Sequence, residues 1–160
     1  MARHRWTLPA HQQVNLAILP GDVAAEFAAF CTRNPKPCPI IEITPPGEPE
    51  PVRSAPGADL CTDVPGYRVY RKGELAEQRS DIRDLWRDDL VGFLLGCSFT
   101  FEHALVEAGI PPRNVELGTN VSMFTSNIAC VPESPTSADP ISARRSRSTR
   151  TRFPSSGRAA

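Results

Sequence analysis

The sequence predicts an α/β fold, a layered mixed sheet with flanking helices. Short runs of apolar and β-branched residues, typical of strands, alternate with segments in which apolar residues recur every three or four positions, as on one face of a helix. The 17 prolines and 10 glycines among 160 residues separate these segments, and they are too few to indicate disorder of the whole chain. A single domain with an appendage fits this length.

The predicted strands are short apolar runs that end at turn residues or prolines. The first run ends at Pro20 and Gly21, and another leads into a turn at Lys72 and Gly73. The predicted strands cover residues 14–19, 40–43, 67–71, 115–117 and 121–130.

Three helices are predicted between these strands. The first has Asp22 as its N-cap and ends at Asn34, because a residue that precedes proline avoids the helical conformation. The second, over residues 82–94, has the clearest helical periodicity in the chain and ends at Gly96. The third covers residues 98–108 and is followed by glycine and two prolines.

Composition divides the chain into a domain at residues 1–133 and a tail at residues 134–160. The tail contains six Arg, seven Ser, three Thr and three Pro in 27 residues, so it is predicted to be disordered. Within the domain, residues 45–57 hold five prolines and few apolar residues. They are predicted to form a surface connection between two lobes.

Charge and cysteine content limit the classes of function. The chain has 18 basic and 18 acidic residues, but residues 1–133 carry 12 basic and 17 acidic side chains, which gives no reason to expect a nucleic-acid partner for the domain. No apolar run approaches a membrane span and no signal sequence is apparent, so a cytoplasmic protein without membrane contact is expected. The five cysteines lack paired metal-ligand spacing, and no glycine-rich phosphate loop occurs; we therefore expect no metal and no cofactor.

The segment 96–102 (GCSFTFE) is the strongest candidate in the sequence for a ligand-binding or catalytic site. Gly96 allows a sharp turn, Ser98 occupies a helix N-cap position, and the free N–H groups beyond it can bind an anion. Cys97 at a helix start can have a lowered thiol pKa, and Glu102 lies one turn further on. The alternative is ordinary capping, with Cys97 as a small core residue and Glu102 in solvent.

Six blocks in the same order resemble the D-glutamate cyclase family of hydro-lyases. They are 15–20 (NLAILP), 30–39 (FCTRNPKPCP), 62–70 (TDVPGYRVY), 85–91 (LWRDDLV), 96–102 (GCSFTFE) and 120–124 (NVSMF). This chain departs from the family at Cys61, Asn114, Ser122 and Phe124. It also lacks the family's later segments, so the resemblance implies a fold that is truncated or frame-shifted after about residue 130.

The resemblance implies a lyase of D-glutamate metabolism that converts D-glutamate, or a similar small amino dicarboxylate, into 5-oxo-D-proline and water. That reaction needs an acid, a base and two sites for carboxylates. The catalytic candidates are Glu102, Asp63 and Cys97, and the substrate-binding candidates are Ser98, Arg68, Asn15 and Asn34.

Several of these candidates have simpler interpretations. Asp63 can brace a turn, Arg68 can face water, and Asn34 can end a helix. For the whole chain, one alternative is a truncated non-catalytic relative that at most binds a small carboxylate. Another is an adaptor that binds RNA or protein through the arginine-rich tail, although Phe153 is the single aromatic residue among the six arginines of the tail.

Overall fold

Two long antiparallel strands form the centre of the fold. The computed structural model describes residues 13–97, 99–119, 127–132 and 150–152. Its elements are β1 (Gln13–Pro20), α1 (Gly21–Arg33), β2 (Ile40–Ile43), β3 (Tyr67–Arg71), β4 (Glu74–Arg79), a 3₁₀ turn (Arg83–Leu85), β5 (Leu90–Gly96), α2 (Phe99–Glu107), α3 (Arg113–Glu116) and β6 (Arg150–Arg152).

The strands form two sheets. The larger has the order β2-β5-β1-β6, and the smaller is the β3-β4 hairpin. Every strand pairing among the described residues is antiparallel, and β1 pairs with β5 along its length, from Val14 opposite Gly96 to Pro20 opposite Leu90. The predicted α/β class, with sheets and flanking helices, is confirmed.

Both faces of the central strand β5 are buried, because its side chains alternate between two cores. On one face Val91 and Phe93 pack against Ala24 of α1, and the rings of Phe27 and Phe93 meet edge to face with centroids 5.0 Å apart. On the other face Leu94 packs against Leu60, and neither of these two side chains is exposed.

The prediction of a helix over residues 82–94 was wrong. Residues 83–85 form a single 3₁₀ turn, and Leu90–Gly96 is strand β5. A strand buried on both faces is apolar at almost every position, so apolar residues at helical spacing occur within it by necessity. The predicted strand at 115–117 was also wrong, since Arg113–Glu116 is a short helix.

Other predicted elements agree with the structure in type. The strands at 14–19, 40–43 and 67–71 are confirmed as β1, β2 and β3, and the third predicted helix is confirmed as α2. The first helix, α1, begins at Gly21 after an N-cap at Pro20, so Asp22 lies in the first turn rather than at the N-cap. Residues 121–126 lie outside the described residues, and 127–130 contain a bend instead of the predicted strand.

Residues 45–57 cover the sheet rather than only connecting two lobes. Pro51 and Ala55 are almost fully buried, and Ala55 belongs to the same core cluster as Leu60. The segment is held by the buried carboxylate of Glu42, which accepts hydrogen bonds from the backbone N–H groups of Arg53 and Ser54 and from the Ser54 hydroxyl. Composition indicated a surface loop because two of the three donors to Glu42 are backbone N–H groups, which leave no sequence signal within residues 45–57. The predicted tail lies outside the described residues except for β6.

Gly92 lets Thr44 and Leu60, which lie on either side of this covering segment in sequence, approach the sheet. A Cβ at Gly92 would lie 2.6 Å from Leu60 Cδ1 and 3.2 Å from Thr44 Oγ1. We therefore expect Gly92→Ala to lower the free energy of unfolding by about 1–3 kcal/mol through overpacking, measured as a lower urea midpoint. The control is Gly66→Ala, whose Cβ would meet only Arg79 O at 3.7 Å. Equal, small effects of the two variants would contradict this account.

Candidate functional site

One end of the larger sheet brings several predicted site residues together. We call it the β5 end, and it consists of Asn15, Asn34, Cys38, Pro39 and residues 96–97. Here β5 ends while β1 and β2 begin, because both pair with β5 in antiparallel register. A chain of backbone hydrogen bonds connects it: Cys38 N donates to Asn34 O at 3.0 Å, and Gly96 N donates to Pro39 O at 2.8 Å.

Asn15 places a buried polar atom at the β5 end. It lies on β1 opposite Leu95 of β5. Its Oδ1 is buried, and within the described part of the chain no donor reaches that oxygen. A buried acceptor without a partner costs about 1–3 kcal/mol, so Asn15 Oδ1 is suited to accept a hydrogen bond from a ligand.

Asn34 uses its side chain to hold another part of the protein. Its Nδ2 donates to Phe30 O at 2.8 Å and to Val131 O at 2.9 Å, while its Oδ1 accepts from Val131 N at 2.8 Å. The residue is buried and is the C-cap of α1, so the interpretation of Asn34 as a helix end is confirmed. These bonds leave the amide occupied by the protein's own backbone.

Strand β5 extends to Gly96, so Gly96 lies at the strand end rather than in the predicted turn, and the third predicted helix follows as α2. Cys97 is half-buried directly after the strand, α2 begins at Phe99, and Glu102 is half-buried in the first turn of α2. Gly96 is needed for a close approach, since a Cβ there would lie 3.1 Å from Pro39 Cγ. Ser98 lies outside the described residues, so its role as N-cap and carboxylate ligand stays a prediction.

Asp63 and Arg68 lie on a different part of the molecule. Asp63 is exposed and accepts from Asp59 N at 2.9 Å, which confirms that it braces a turn. Arg68 is exposed on β3 opposite Gln78. Among the residues that the structure describes, no hydrogen bond or ion pair connects either side chain with the β5 end.

The core beneath the β3–β4 hairpin explains this separation. Val64 and Tyr67 pack against Leu16 and Ile18 of β1, and Tyr67 donates its hydroxyl hydrogen to Leu60 O at 2.7 Å. Asn15 precedes Leu16, and neighbouring residues of a strand point to opposite faces of the sheet. The hairpin therefore belongs to the face that Asn15 does not occupy.

An open surface cavity of about 550 Å³ lies between β4 and the 3₁₀ turn, where no site was predicted. Its charged side chains are paired with one another: Arg79 binds Asp84, and Arg83 binds Asp81. These exposed pairs neutralise the lining and leave little charge to attract a substrate.

No helix within the described ranges is long and apolar enough to cross a membrane. In the same ranges, no group of three or more His, Cys, Asp or Glu side chains is arranged to hold a metal ion.

Comparison with known proteins gives consistent results. A sequence profile described as D-glutamate cyclase matches residues 91–150. A protein of Geobacillus kaustophilus named "Putative hydro-lyase" is 60% identical over 121 residues, which are 76% of this chain and 46% of the relative. Relatives with the same description occur in Rubrobacter xylanophilus, 56% identical over 127 residues (79% and 49%), and in Bacillus subtilis, 53% identical over 122 residues (76% and 48%). The chain spans about half the length of the curated relatives it matches.

Proposed function

Because this chain belongs to the D-glutamate cyclase family, we propose that it acts as a hydro-lyase that closes D-glutamate into 5-oxo-D-proline with loss of water. In this reaction the α-amino nitrogen forms a bond with the γ-carboxyl carbon, and one carbon–oxygen bond of that carboxyl group breaks. One carboxyl oxygen leaves as water with two hydrogens that began on the ammonium nitrogen. The proposal assigns the chain to D-glutamate metabolism in the cytoplasm, where reduced cysteines are the rule.

The observation that carries the proposed site is the buried Oδ1 of Asn15, which no donor among the described residues reaches. An α-ammonium group is a hydrogen-bond donor, and a buried amide oxygen without a partner is the acceptor that it needs. Binding there would orient the nitrogen toward the reacting carbon and would offset the cost of the buried oxygen. Holding the amino and carboxyl groups in the reactive geometry removes a large part of the free-energy barrier to such a ring closure.

The start of α2 is the proposed carboxylate site. Backbone N–H groups in the first turn of a helix are not used within the helix, and the helix dipole favours an anion there. Cys97 and Ser98 flank this position, and Ser98 is included from the sequence alone. The same N–H groups would stabilise the oxyanion of the tetrahedral intermediate if the γ-carboxyl group binds there.

Glu102 is the proposed proton carrier. It lies in the first turn of α2 and is half-buried, and its carboxylate would accept a proton from the ammonium and return it to the departing hydroxide. Asp63, Arg68 and Asn34 are left out of the proposed site, because the first two are exposed beside the hairpin and the third is bound to Val131.

The activity is tested directly on the full chain. D-Glutamate is incubated with the purified protein and 5-oxo-D-proline is measured by chiral chromatography, with L-glutamate as the matched substrate. We expect product from D-glutamate above the uncatalysed rate and less from L-glutamate. A folded chain without product, whose melting temperature nevertheless rises with D-glutamate, would support the non-catalytic carboxylate-binding alternative instead.

The variant Asn15→Leu separates a functional asparagine from a structural one. Leucine has a similar size and removes the unsatisfied oxygen, so we expect a free energy of unfolding that is unchanged or higher by about 1 kcal/mol. We expect kcat/KM for D-glutamate to fall by at least about tenfold, which is 1.4 kcal/mol of lost interaction. A lower melting temperature with unchanged kcat/KM would show that Asn15 serves the fold alone.

A further inference from the structure

Two cysteines that flank the end of α1 lie near a third from a distant part of the sequence. Cys31 is buried in the last turns of α1, Cys38 is half-buried before β2, and Cys130 is exposed in segment 127–132. Cys31 and Cys38 lie near enough for their thiols to form a hydrogen bond, and Cys130 lies near enough to help raise the pKa of the Cys38 thiol. All three are free thiols.

Asn34 fixes this arrangement through hydrogen bonds to backbone beside each cysteine. Its backbone N donates to Cys31 O at 3.1 Å, and its backbone O accepts from Cys38 N at 3.0 Å. Its side chain holds Val131, the residue after Cys130, by two hydrogen bonds. Arg33 adds a bond from Nη1 to Pro132 O at 3.0 Å. These bonds hold the segment that carries Cys130 at the end of α1, where Cys38 follows four residues after Asn34.

We propose that Cys38 and Cys130 form a thiol–disulfide exchange site for small-molecule disulfides, and that the resulting Cys38–Cys130 disulfide locks segment 127–132 onto the end of α1. This inference is independent of the proposed hydro-lyase activity, since it requires neither D-glutamate nor the α2 start. Among the described residues, no group of three or more His, Cys, Asp or Glu side chains is arranged to hold a metal ion. The thiols are therefore assigned to disulfide exchange rather than to metal binding.

The exchange takes place in two steps. The Cys130 thiolate attacks one sulfur of the small disulfide; a Cys130–sulfur bond forms, the disulfide bond breaks and one small thiolate leaves. The Cys38 thiolate then attacks Cys130 Sγ, which forms the Cys38–Cys130 bond and releases the second small thiolate. The two protein thiols are oxidised to a disulfide, and the small disulfide is reduced to two thiols. The two protons that leave the protein thiols pass to the small thiolates or to solvent.

The accessibility and the protonation state of each thiol determine the order in which the cysteines react. Cys130 is exposed and meets the reagent first, while Cys31 is only 1% exposed. Burial, together with the neighbouring Cys38, raises the pKa of the Cys31 thiol to about 11, so it remains protonated near neutral pH and is a poor competitor for Cys38. Burial also raises the pKa of Cys38, so the second step is expected to accelerate as the pH rises above neutral.

Oxidised glutathione is the probe for this site. The full chain is treated at pH 8, quenched with acid, digested and mapped by mass spectrometry. We expect a Cys38–Cys130 peptide and only transient glutathione on Cys130. In Cys38→Ser we expect glutathione to persist on Cys130 at a level at least about tenfold higher, and in Cys31→Ala we expect the Cys38–Cys130 link to form as in the wild type.

The measurement distinguishes this site from general thiol reactivity. A persistent mixed disulfide on Cys130 in the wild type, a dominant Cys31–Cys38 link, or links distributed equally to Cys61 and Cys97 would each overturn the proposal. Asn34→Ala tests the positioning, because it removes both side-chain bonds to Val131. We expect it to slow formation of the Cys38–Cys130 link severalfold without slowing glutathione addition to Cys130, and equal rates would refute the role of Asn34.

Discussion

Phe93→Ala is expected to lower the free energy of unfolding by about 3–5 kcal/mol, enough to unfold much of a marginally stable domain. Phe93 is 1% exposed, lies on the central strand β5 and fills the core between the sheet and α1. Removal of its ring leaves a cavity that strand β5, hydrogen-bonded on both edges, cannot close. Urea unfolding followed by circular dichroism measures the loss.

A double-mutant cycle with Phe27→Ala isolates the ring contact from the cavity. The two rings meet at an interplanar angle of 85° with centroids 5.0 Å apart, a geometry that contributes about 0.5–1.5 kcal/mol beyond area burial. Leu75→Ala, at a side chain that is 46% exposed, is the control and is expected to change stability by less than about 0.5 kcal/mol. Strictly additive effects of the two phenylalanine variants would show that the rings do not stabilise one another.

The sequence was a good guide wherever local signals determine the structure. Proline and glycine mark the junction of β1 with α1, and Asn34 before Pro35 marks the helix end. The turn at Lys72 and Gly73 is equally local: both residues have positive φ, which identifies a tight hairpin turn. These features depend on a few neighbouring residues and need no knowledge of the partner strands.

The sequence was a poor guide where the environment comes from distant residues. Residues 90–96 form a strand rather than a helix because they are buried against α1 on one side and against Leu60 on the other. Neither contact is visible in a local sequence pattern. The role of residues 45–57 depends on Glu42, which is linked to Ser54 across 12 positions of sequence. A glutamate in an apolar strand run was the one available signal, because a charged residue at such a position requires partners if it is buried.

The candidate site shows the same division. The start of α2 follows from a glycine and helical spacing, so it could be predicted. The buried oxygen of Asn15, which lacks a donor among the described residues, could not, since the partners of a buried side chain depend on elements that are distant in sequence. The cysteine cluster was also missed, because it depends on hydrogen bonds between Asn34 and Val131, which are 97 positions apart in sequence.

Glu42→Gln is expected to cost about 2–3 kcal/mol at neutral pH and to reduce the acid sensitivity of the fold. Burial alone would raise the pKa of Glu42, but the hydrogen bonds from the Ser54 hydroxyl and from the backbone N–H groups of Arg53 and Ser54 outweigh it and hold the pKa below its usual value. Glutamine keeps the volume but directs an NH₂ group at one set of these donors, and charge-assisted bonds of this kind contribute about 1.5–3 kcal/mol each.

The sign of the pH dependence follows from the lowered pKa. The stabilisation is complete above the unfolded pKa of about 4.3 and is lost as the pH falls through the lower folded value. Urea midpoints between pH 2 and 7 should therefore fall on the acid side in the wild type and change less in Glu42→Gln. Glu48→Gln removes the same charge from an exposed position and should keep the wild-type profile. If both variants follow the wild-type profile, Glu42 does not anchor residues 45–57 through its ionised carboxylate.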